Sequence, residues 1–180
     1  MNVIDTASTG LRQALLTLCL LSGFSTAAAA DALSVNALAG IEGVQVAVVG
    51  IHPDFARYGL DADEMRRRVE ARLADYGLTV EASAADTTDR KIGRLEVRLI
   101  TNKDQFAFYH YAVSVKLERR IPLDEQNHAY GVQSAWSEGR HGILNPSDLG
   151  TIYGYVDELL GQFITAHDKD NAARRAAMNL

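Results

Sequence analysis

Residues 92–121 read IGRLEVRLITNKDQFAFYHYAVSVKLERRI, and apolar and polar side chains alternate along most of this segment. Alternation with a period of two is typical of β-strands that bury one face in a core. The apolar positions are Leu95, Val97 and Leu99, followed by Tyr109, Tyr111, Val113, Val115 and Leu117. We therefore predict two strands, Ile92–Thr101 and Phe106–Ile121, joined as a hairpin.

The pleat of the strands constrains the register of this hairpin. Both apolar sets must face the same core, so the residue that pairs with Leu99 has to be odd-numbered. Tyr109 is the simplest partner, and it leaves Lys103-Asp104-Gln105 as a three-residue loop. The opposite face would then carry Ile100, Phe106, Phe108 and His110.

A strand and a helix are predicted before the hairpin. Residues 44–51, VQVAVVGI, form a nearly continuous apolar run that is typical of a buried strand, and Pro53 ends it. Asp61 and Glu64 have the spacing of a capping box, so we expect a helix to begin there. Gly77 supplies the C-terminal stop of that helix.

Two shorter strands and a second helix complete the pattern. We predict strands at Leu78–Ala82 and His128–Glu138, the second of them followed by a glycine-containing loop at 139–142. On the second strand, one face would carry Tyr130, Val132 and Trp136. Pro146 at the first helical position starts the last helix, which we expect to fray after Asp168.

The last helix contains Gly150, Gly154 and Gly161 beside its apolar stripe. Each glycine lowers helix stability by about 1 kcal/mol relative to alanine. We expect close approach of the helix backbone to the sheet to offset this cost. Such close packing would leave no internal cavity between the layers.

The order of elements along the chain is β-α-β-β-β-β-α. This order predicts an α/β fold of the α+β type, a two-layer sandwich. In it, a mixed, mainly antiparallel sheet of about five strands carries both helices on one face. We expect residues 31–180 to form this single domain. An exposed edge strand such as 78–82 would be able to pair with a second copy of the chain.

The first thirty residues have the order of a secretory signal peptide. A short polar start precedes an apolar run from Ala14 to Phe24, and small residues then lead to Ala30. The run is too short for a stable span, which takes about 20 apolar residues. We predict cleavage near Ala30 and a periplasmic or secreted mature protein without a transmembrane span. A buried N-terminal helix and a retained membrane anchor are the alternatives.

The composition argues against several classes of function. The 180 residues include 18 Lys+Arg and 23 Asp+Glu, a net charge of −5, whereas binding to nucleic-acid phosphates needs positive charge. The only cysteine, Cys19, would leave with the signal peptide, so the mature chain would be cysteine-free. No two of the five histidines are three to five residues apart. We therefore predict no nucleic-acid partner, no metal and no cofactor.

The sequence shows no clear catalytic motif. A Gly-x-Ser-x-Gly elbow is absent, and no glycine-rich phosphate cradle follows the first strand. Ser137, Glu138 and His141 are close in sequence, but catalytic triads are assembled from distant segments and neighbouring strand residues face opposite ways. We therefore assign no catalytic residue.

Two surfaces are candidate binding sites. The first consists of Phe106, Phe108 and His110 near the hairpin tip. These side chains would be half exposed if both helices cover the other face, and burial under the N-terminal segment or the loop 51–60 is the alternative. The second consists of Trp136, Arg140 and His141, where an aromatic ring, a cation and a flexible loop would meet.

These observations lead to one main hypothesis and two alternatives. The main hypothesis is a soluble, exported, non-enzymatic protein of the periplasm or cell envelope, an accessory or assembly factor that binds through Phe106 and Phe108. Its partner would be another envelope protein or a small apolar ligand. The first alternative is an exported hydrolase with its site at the Trp136–His141 loop. The second is a carrier of a hydrophobic ligand, which would need an internal cavity.

Overall fold

A computed structural model describes residues 37–82, 90–124 and 129–178 of the chain. The strands are β1 (Gly43–Val49), β2 (Thr79–Glu81), β3 (Ile92–Lys103), β4 (Tyr109–Asp124) and β5 (Ala129–Leu144). The helices are α1 (Ala62–Tyr76) and α2 (Ile152–Met178), and 3-10 segments at Pro53–Tyr58 and Pro146–Thr151 precede them. The predicted signal peptide and most of the predicted loop before β3 lie outside the described residues.

The predicted two-layer α+β sandwich is confirmed. The five strands form one sheet in the order β2-β1-β3-β4-β5. β1 runs parallel to both β2 and β3, whereas β4 is antiparallel to β3 and to β5. α1 packs against β1 and β2, and α2 packs against β4 and β5. The buried apolar core lies between the helices and the sheet.

The structure has the predicted capping residues at both ends of α1. Asp61 is the N-cap, and its Oδ1 accepts a hydrogen bond from the backbone N–H of Glu64 at 2.9 Å. Gly77 ends the helix in the left-handed conformation, with φ of 102°. The buried face of α1 consists of Met65, Val69 and Leu73. Helix α1 is therefore specified by its own sequence at both ends and along its inner face.

The β3–β4 hairpin has the predicted parity but a different register. Leu99 pairs with Val113 rather than with Tyr109, so both apolar sets face the core as expected. The last pair is Lys103–Tyr109, which leaves a five-residue loop, Asp104–Phe108, instead of a three-residue loop. β4 therefore begins after Phe108, and the two phenylalanines lie in the loop.

The loop predicted at 139–142 is wrong, because β5 continues through it to Leu144. β4 offers paired backbone groups along the whole segment, as in the pair Tyr109–Leu144. Gly142 also suits this position, since a Cβ there would lie 3.0 Å from the ring of Tyr111. Pairing with a neighbouring strand therefore outweighs the weak β-propensity of glycine.

A β-bulge in β5 makes a second prediction wrong. Leu117 pairs with Trp136, but the next residue of β4, Glu118, pairs with Ser134, so one residue of β5 is inserted. The insertion shifts the alternation of side chains by one position. Trp136 consequently faces the helices, whereas Tyr130 and Val132, expected on the same face as Trp136, lie on the other face.

The glycines of the last helix do not make the expected close contacts with the sheet. A Cβ on Gly154 or Gly161 would meet no atom within 4 Å. Gly150 lies in the 3-10 segment before α2, and a Cβ there would lie 3.4 Å from the carbonyl oxygen of Gly59. Open clefts lie beside two of these glycines instead. A cleft of about 470 Å³ borders Gly154 between α1 and α2, and another of about 650 Å³ borders Gly161 beside β5.

Helix α2 continues to Met178, ten residues beyond the point after which we expect fraying. Its side chains hold the segment before β1. Asn171 Oδ1 accepts a hydrogen bond from the backbone N–H of Gly40 at 2.9 Å, and its Nδ2 donates to the carbonyl of Leu38 at 3.1 Å. Asp170 accepts from the N–H of Leu38 at 3.0 Å. Polar residues near the end of α2 thus hydrogen-bond to the backbone of the segment before β1.

We predict opposite effects of alanine at two classes of glycine. Gly154→Ala and Gly161→Ala should each raise the free energy of unfolding by about 0.5–1 kcal/mol, because the added methyl group enters open space in a helix. Gly50→Ala should lower it by about 1 kcal/mol or more, because φ is +84° and the Cβ would lie 1.9 Å from the Leu99 carbonyl oxygen. Urea denaturation measures all three. Destabilisation by either helix variant would contradict the open clefts.

Asn171→Ala should lower the free energy of unfolding by about 1–3 kcal/mol, because the backbone N–H of Gly40 loses its partner and the carbonyl of Leu38 loses one of its two donors, Ile41 N–H being the other. Gln162→Ala, an exposed position on the same helix, is the matched control and should stay within about 0.5 kcal/mol of the wild type. Equal effects of the two substitutions would show that Asn171 does not hold the segment.

Candidate functional site

The face of the sheet opposite the helices is open at the end formed by the β3–β4 hairpin. Strand pairing places two rows of side chains across this end. The first row is Ile100, Ala112 and His141, and the second is Asn102, His110 and Ile143. The predicted site residues His110 and His141 therefore lie in adjacent rows of the same face.

Four large apolar side chains are exposed at this end of the face. The exposed fractions are 61% for Ile100, 72% for Phe106, 39% for Phe108 and 60% for Ile143. We call these four residues the hairpin patch. The two phenylalanines are not buried under residues 51–60, and the N-terminal segment, the other covering element considered above, lies outside the described residues. A group of exposed apolar residues of this kind marks a surface for contacts with other molecules.

Asp104 fixes the shape of the loop that carries the two phenylalanines. Its Oδ1 accepts hydrogen bonds from the backbone N–H groups of Phe106 and Phe108, both at 2.9 Å. Its own N–H donates to the carbonyl of Phe108 at 2.9 Å, and Oδ2 lies 3.3 Å from Nε2 of His110. One carboxylate therefore joins the loop to the first residues of β4.

These contacts also determine the charge state of Asp104. Partial desolvation of the carboxylate opposes ionisation, but hydrogen bonds from the backbones of Phe108 and Phe106, and from His110, outweigh it. Together they hold the pKa of Asp104 below its ordinary value. Asp104 is therefore ionised at neutral pH, which is the form that accepts these bonds.

The loop contains a strained residue between the two phenylalanines. Ala107 has φ of 68°, in the left-handed region that residues with a side chain rarely adopt. Such a conformation costs of order 1–3 kcal/mol and persists where the surrounding contacts enforce it. Strain of this kind is often found at functional sites, and a left-handed residue is also a common component of hairpin loops.

Charged residues fill the open face beyond the hairpin patch, and they are paired with one another. Arg98 Nε lies 2.7 Å from Glu96 Oε1, and Lys116 Nζ lies 2.6 Å from Glu118 Oε1. Arg94 adds a longer contact to Glu96, at 3.7 Å. The apolar patch is thus bordered by a polar region in which three cations contact two carboxylates, and a polar rim is common at protein interfaces.

The second predicted site, the rim of Trp136, Arg140 and His141, is divided between the two faces. Trp136 and Arg140 face the helix layer, and His141 faces the open side, because β5 runs through all three positions and its side chains alternate. The indole of Trp136 packs edge-on against Phe163, with 5.4 Å between ring centroids. Trp136 therefore contributes to the core, and no rim forms.

Arg140 links β5 to α2. Its guanidinium lies 4.1 Å from the centre of the Tyr155 ring, and Nη1 lies 2.8 Å from Glu158 Oε2. Tyr155 in turn stacks on Tyr111, with centroids 5.6 Å apart. Burial raises the pKa of Tyr111, and its hydrogen bond with Tyr155 acts in the same direction, so the phenol stays neutral. These contacts pack strands β4 and β5 against helix α2.

The described residues bring no acid to His141 and form no metal site. No hydrogen bond or ion pair joins His141 to a carboxylate in the parts of the chain that the structure describes. Across residues 37–82, 90–124 and 129–178, no group of three or more His, Cys, Asp or Glu side chains is arranged to hold a metal ion. In the same residues, neither helix has the length and apolar character needed to cross a membrane.

Sequence reasoning missed three features of the candidate site. A strand that ends at Glu138 leaves Ile143 out of the candidate site. Alternation continued through 139–142 places Ile143 on the open face. Asp104 was assigned only to the loop, although an aspartate two residues before a backbone N–H commonly accepts from it. No residue type signals the positive φ of Ala107.

No protein-family model matches this chain, and no curated protein matches it. Among solved structures, a minor lipoprotein from Acinetobacter baumannii is similar to it at 11% sequence identity, over 75% of this chain and 89% of that chain, with a TM-score of 0.23. A similarity at that level carries no argument about fold or function. The candidate site therefore rests on its own geometry.

The loop should respond to pH through Asp104. A depressed pKa in the folded state means that the loop contacts contribute stability above the unfolded pKa of about 3.9 and are lost as the pH falls through the folded value. The amide NMR signals of Phe106 and Phe108 should titrate together, with a midpoint below about 3.9.

Two variants serve as controls for this titration. Asp104→Asn should abolish the shared transition, whereas His110→Gln should keep it and move the midpoint upward, because the backbone bonds remain. Two results would contradict the role of Asp104: separate titration midpoints for the amide signals of Phe106 and Phe108, or a shared midpoint above the ordinary aspartate pKa of about 3.9.

Proposed function

We propose that this protein is an exported, non-enzymatic binding protein of the cell envelope, an accessory or assembly factor whose contact surface is the hairpin patch. The observation that carries the proposal is the exposure of Phe106, 72%, at the end of an open sheet face that also exposes Ile100 and Ile143. The mature protein would consist of residues 31–180, after cleavage near Ala30.

The energetics of the loop favour binding over a purely structural role. A phenylalanine that becomes buried contributes about 1.5–3 kcal/mol, and Phe106 obtains little of this within the folded chain. The loop nevertheless maintains the strained Ala107 and the hydrogen bonds to Asp104. A loop held in one conformation before binding loses less conformational entropy when a partner covers it.

The shape of the hairpin patch indicates the kind of partner. Its side chains project from a hairpin and a sheet face, and the two clefts described above lie on the helix side of the sheet. Projecting side chains fit into a groove of another protein, whereas a small apolar ligand needs a concave site. The partner is therefore another envelope protein with an apolar groove, and a small ligand is the less favoured choice.

The proposed location rests on the order of the first thirty residues, a polar start, an apolar run and small residues that end at Ala30. The absence of cysteine after Cys19 is compatible with an oxidising compartment, because no thiol in residues 31–180 is open to oxidation or mispairing. The order of the first thirty residues carries the placement, and the absence of cysteine is consistent with it.

The alternatives have weaker support. A hydrolase at the Trp136–His141 segment would need an acid at His141, and the segment is a strand with its candidate side chains on opposite faces. A hydrophobic-ligand carrier has one observation in its favour, the cleft between α1 and α2 with Met65, Val69 and Leu160 among its lining residues. The rim of that cleft carries the ion pair Arg72–Asp157, at 3.7 Å.

The proposal predicts that Phe106→Ser/Phe108→Ser abolishes partner binding without unfolding the protein. The amount of partner recovered from envelope extract with the full chain should fall at least tenfold, and the melting temperature should stay within about 2 °C, because exposed positions contribute little to stability. The matched control is Leu123→Ser/Val132→Ser. It removes two exposed apolar side chains, 68% and 67% exposed, at the far end of the sheet, and should leave recovery unchanged.

The outcomes distinguish the candidates. A partner lost equally with both double variants would show that the contact is unspecific, and a large fall in melting temperature for the phenylalanine variant would show that the rings belong to the core. An apolar fluorescent probe that binds the wild type, keeps its affinity in the phenylalanine variant and loses it in Gly154→Leu would favour the carrier instead.

A further inference from the structure

β5 forms one edge of the sheet in the described part of the chain, and it is long. It spans Ala129–Leu144, 16 residues, whereas β2 at the other edge has three. Proteins protect such edges with short strands, charged side chains, proline, bulges or covering segments. The segment from Trp136 to Leu144 follows the bulge and contains neither proline nor lysine, and its two charged residues, Glu138 and Arg140, have opposite signs. Within it, residues 137–141 are exposed on both faces of the sheet.

We propose that this edge pairs, antiparallel, with the same strand of a second copy of this chain, with the two-fold axis at Gly139. The pairing would continue the sheet from five strands to ten. This inference rests on β5 alone and does not depend on what the hairpin patch binds.

The pleat limits the registers that such a pairing can take. A two-fold axis perpendicular to the sheet keeps the helices of both copies on the same side, so each residue must pair with one that faces the same way. The axis therefore passes through a residue, not between two. Near the middle of the exposed segment, the choices are Glu138, Gly139 and Arg140.

Charge selects one of these three registers. An axis at Glu138 would place that carboxylate opposite its own copy, and an axis at Arg140 would do the same with two guanidinium groups. An axis at Gly139 instead places Glu138 of each copy opposite Arg140 of the other, which gives two opposite-charge pairs. Opposite-charge pairs across strands stabilise a sheet, and like charges destabilise it.

Both charged groups are available for this contact. Glu138 is exposed and has no hydrogen bond or ion pair in the described part of the chain. Arg140 uses Nη1 to contact Glu158, and a guanidinium has five N–H donors, so others remain for a second carboxylate. The intermolecular pair would therefore form without breaking the contact to α2.

The other pairs in this register are compatible in size. On the helix side, Trp136 lies opposite Gly142 of the second copy, where no side chain competes for space beside the ring. On the open side, Ser137 lies opposite His141, and Gly139 opposite itself. No two large side chains and no like charges meet along the seven residues from 136 to 142 of each strand.

The helix layer leaves room along this edge. The cleft of about 650 Å³ beside β5 is lined by Trp136 and Glu138 on one side and by Gly161, Gln162 and Lys169 of α2 on the other. Gly161 has no atom within 4 Å of the position that its Cβ would occupy. Side chains at the helix-side edge of β5 therefore have space to meet those of a second strand.

A charge exchange tests the proposal with the full chain. Sedimentation equilibrium should show a dimer for the wild type, and Glu138→Arg or Arg140→Glu should each raise the dimer dissociation constant at least tenfold. The double variant Glu138→Arg/Arg140→Glu should return it to within about threefold of the wild type, because the opposite-charge pairs are restored with reversed sign. Glu158→Arg breaks only the contact within one copy and should leave dimerisation unchanged.

Cysteine cross-linking tests the register in a Cys19→Ser background. Ser137→Cys/His141→Cys places the two thiols opposite each other only when the axis is at Gly139. Within one strand they are about 13 Å apart, too far for a disulfide. Mild oxidation should give a covalent dimer of the double variant, whereas each single cysteine variant should stay uncross-linked.

Four results would overturn the proposal. They are a monomeric wild type at about 100 μM, a dimer that Glu138→Arg does not weaken, a double charge variant that does not recover, and a dimer whose paired cysteines fail to cross-link. Circular dichroism and melting temperature establish that each variant is folded. None of these results bears on recovery of a partner through Phe106 and Phe108, so the two proposals can fail separately.

Discussion

Both helices pack on the same face of the sheet, and this constraint determines the role of every residue in the strands. Because side chains alternate, a strand residue faces either the helix layer or the open side, and one inserted residue reverses the assignment. The bulge before Trp136 does this in β5. It places Trp136 and Arg140 in the helix layer and leaves His141 beside the hairpin patch. The candidate site is therefore a consequence of the parity of the sheet.

The parts of the fold that local chemistry specifies could be predicted from the sequence. The cap at Asp61, the stop at Gly77 and the parity of the β3–β4 hairpin depend on residues close in the chain. The extent of β5 could not be predicted, because 139–142 is glycine-rich and becomes a strand only beside β4. The bulge has no sequence signal for the same reason: it depends on which backbone groups β4 presents.

The candidate site was likewise predictable from the sequence only in part. Alternation alone placed Phe106, Phe108 and His110 at one end of the face opposite the core. It could not give the five-residue loop, because that loop depends on the contacts of the Asp104 side chain with two backbone N–H groups. Trp136, Arg140 and His141 were grouped because they are close in sequence. Residues 140 and 141, as neighbours on a strand, necessarily point to opposite sides.

The open face and the open edge are both accessible for the same reason: the two helices cover only part of the sheet. Two helices cover one face, and β5 lies beyond β4, the strand with which α2 makes most of its contacts to the sheet, so both surfaces stay accessible. A two-fold axis perpendicular to the sheet preserves its faces. In the proposed dimer, the two hairpin patches would therefore point to the same side. A partner with two matching grooves would then be held by both, and the second contact would form within one complex at a high effective concentration. In such a dimer, the two hairpin patches together would bind a partner more strongly than either patch alone.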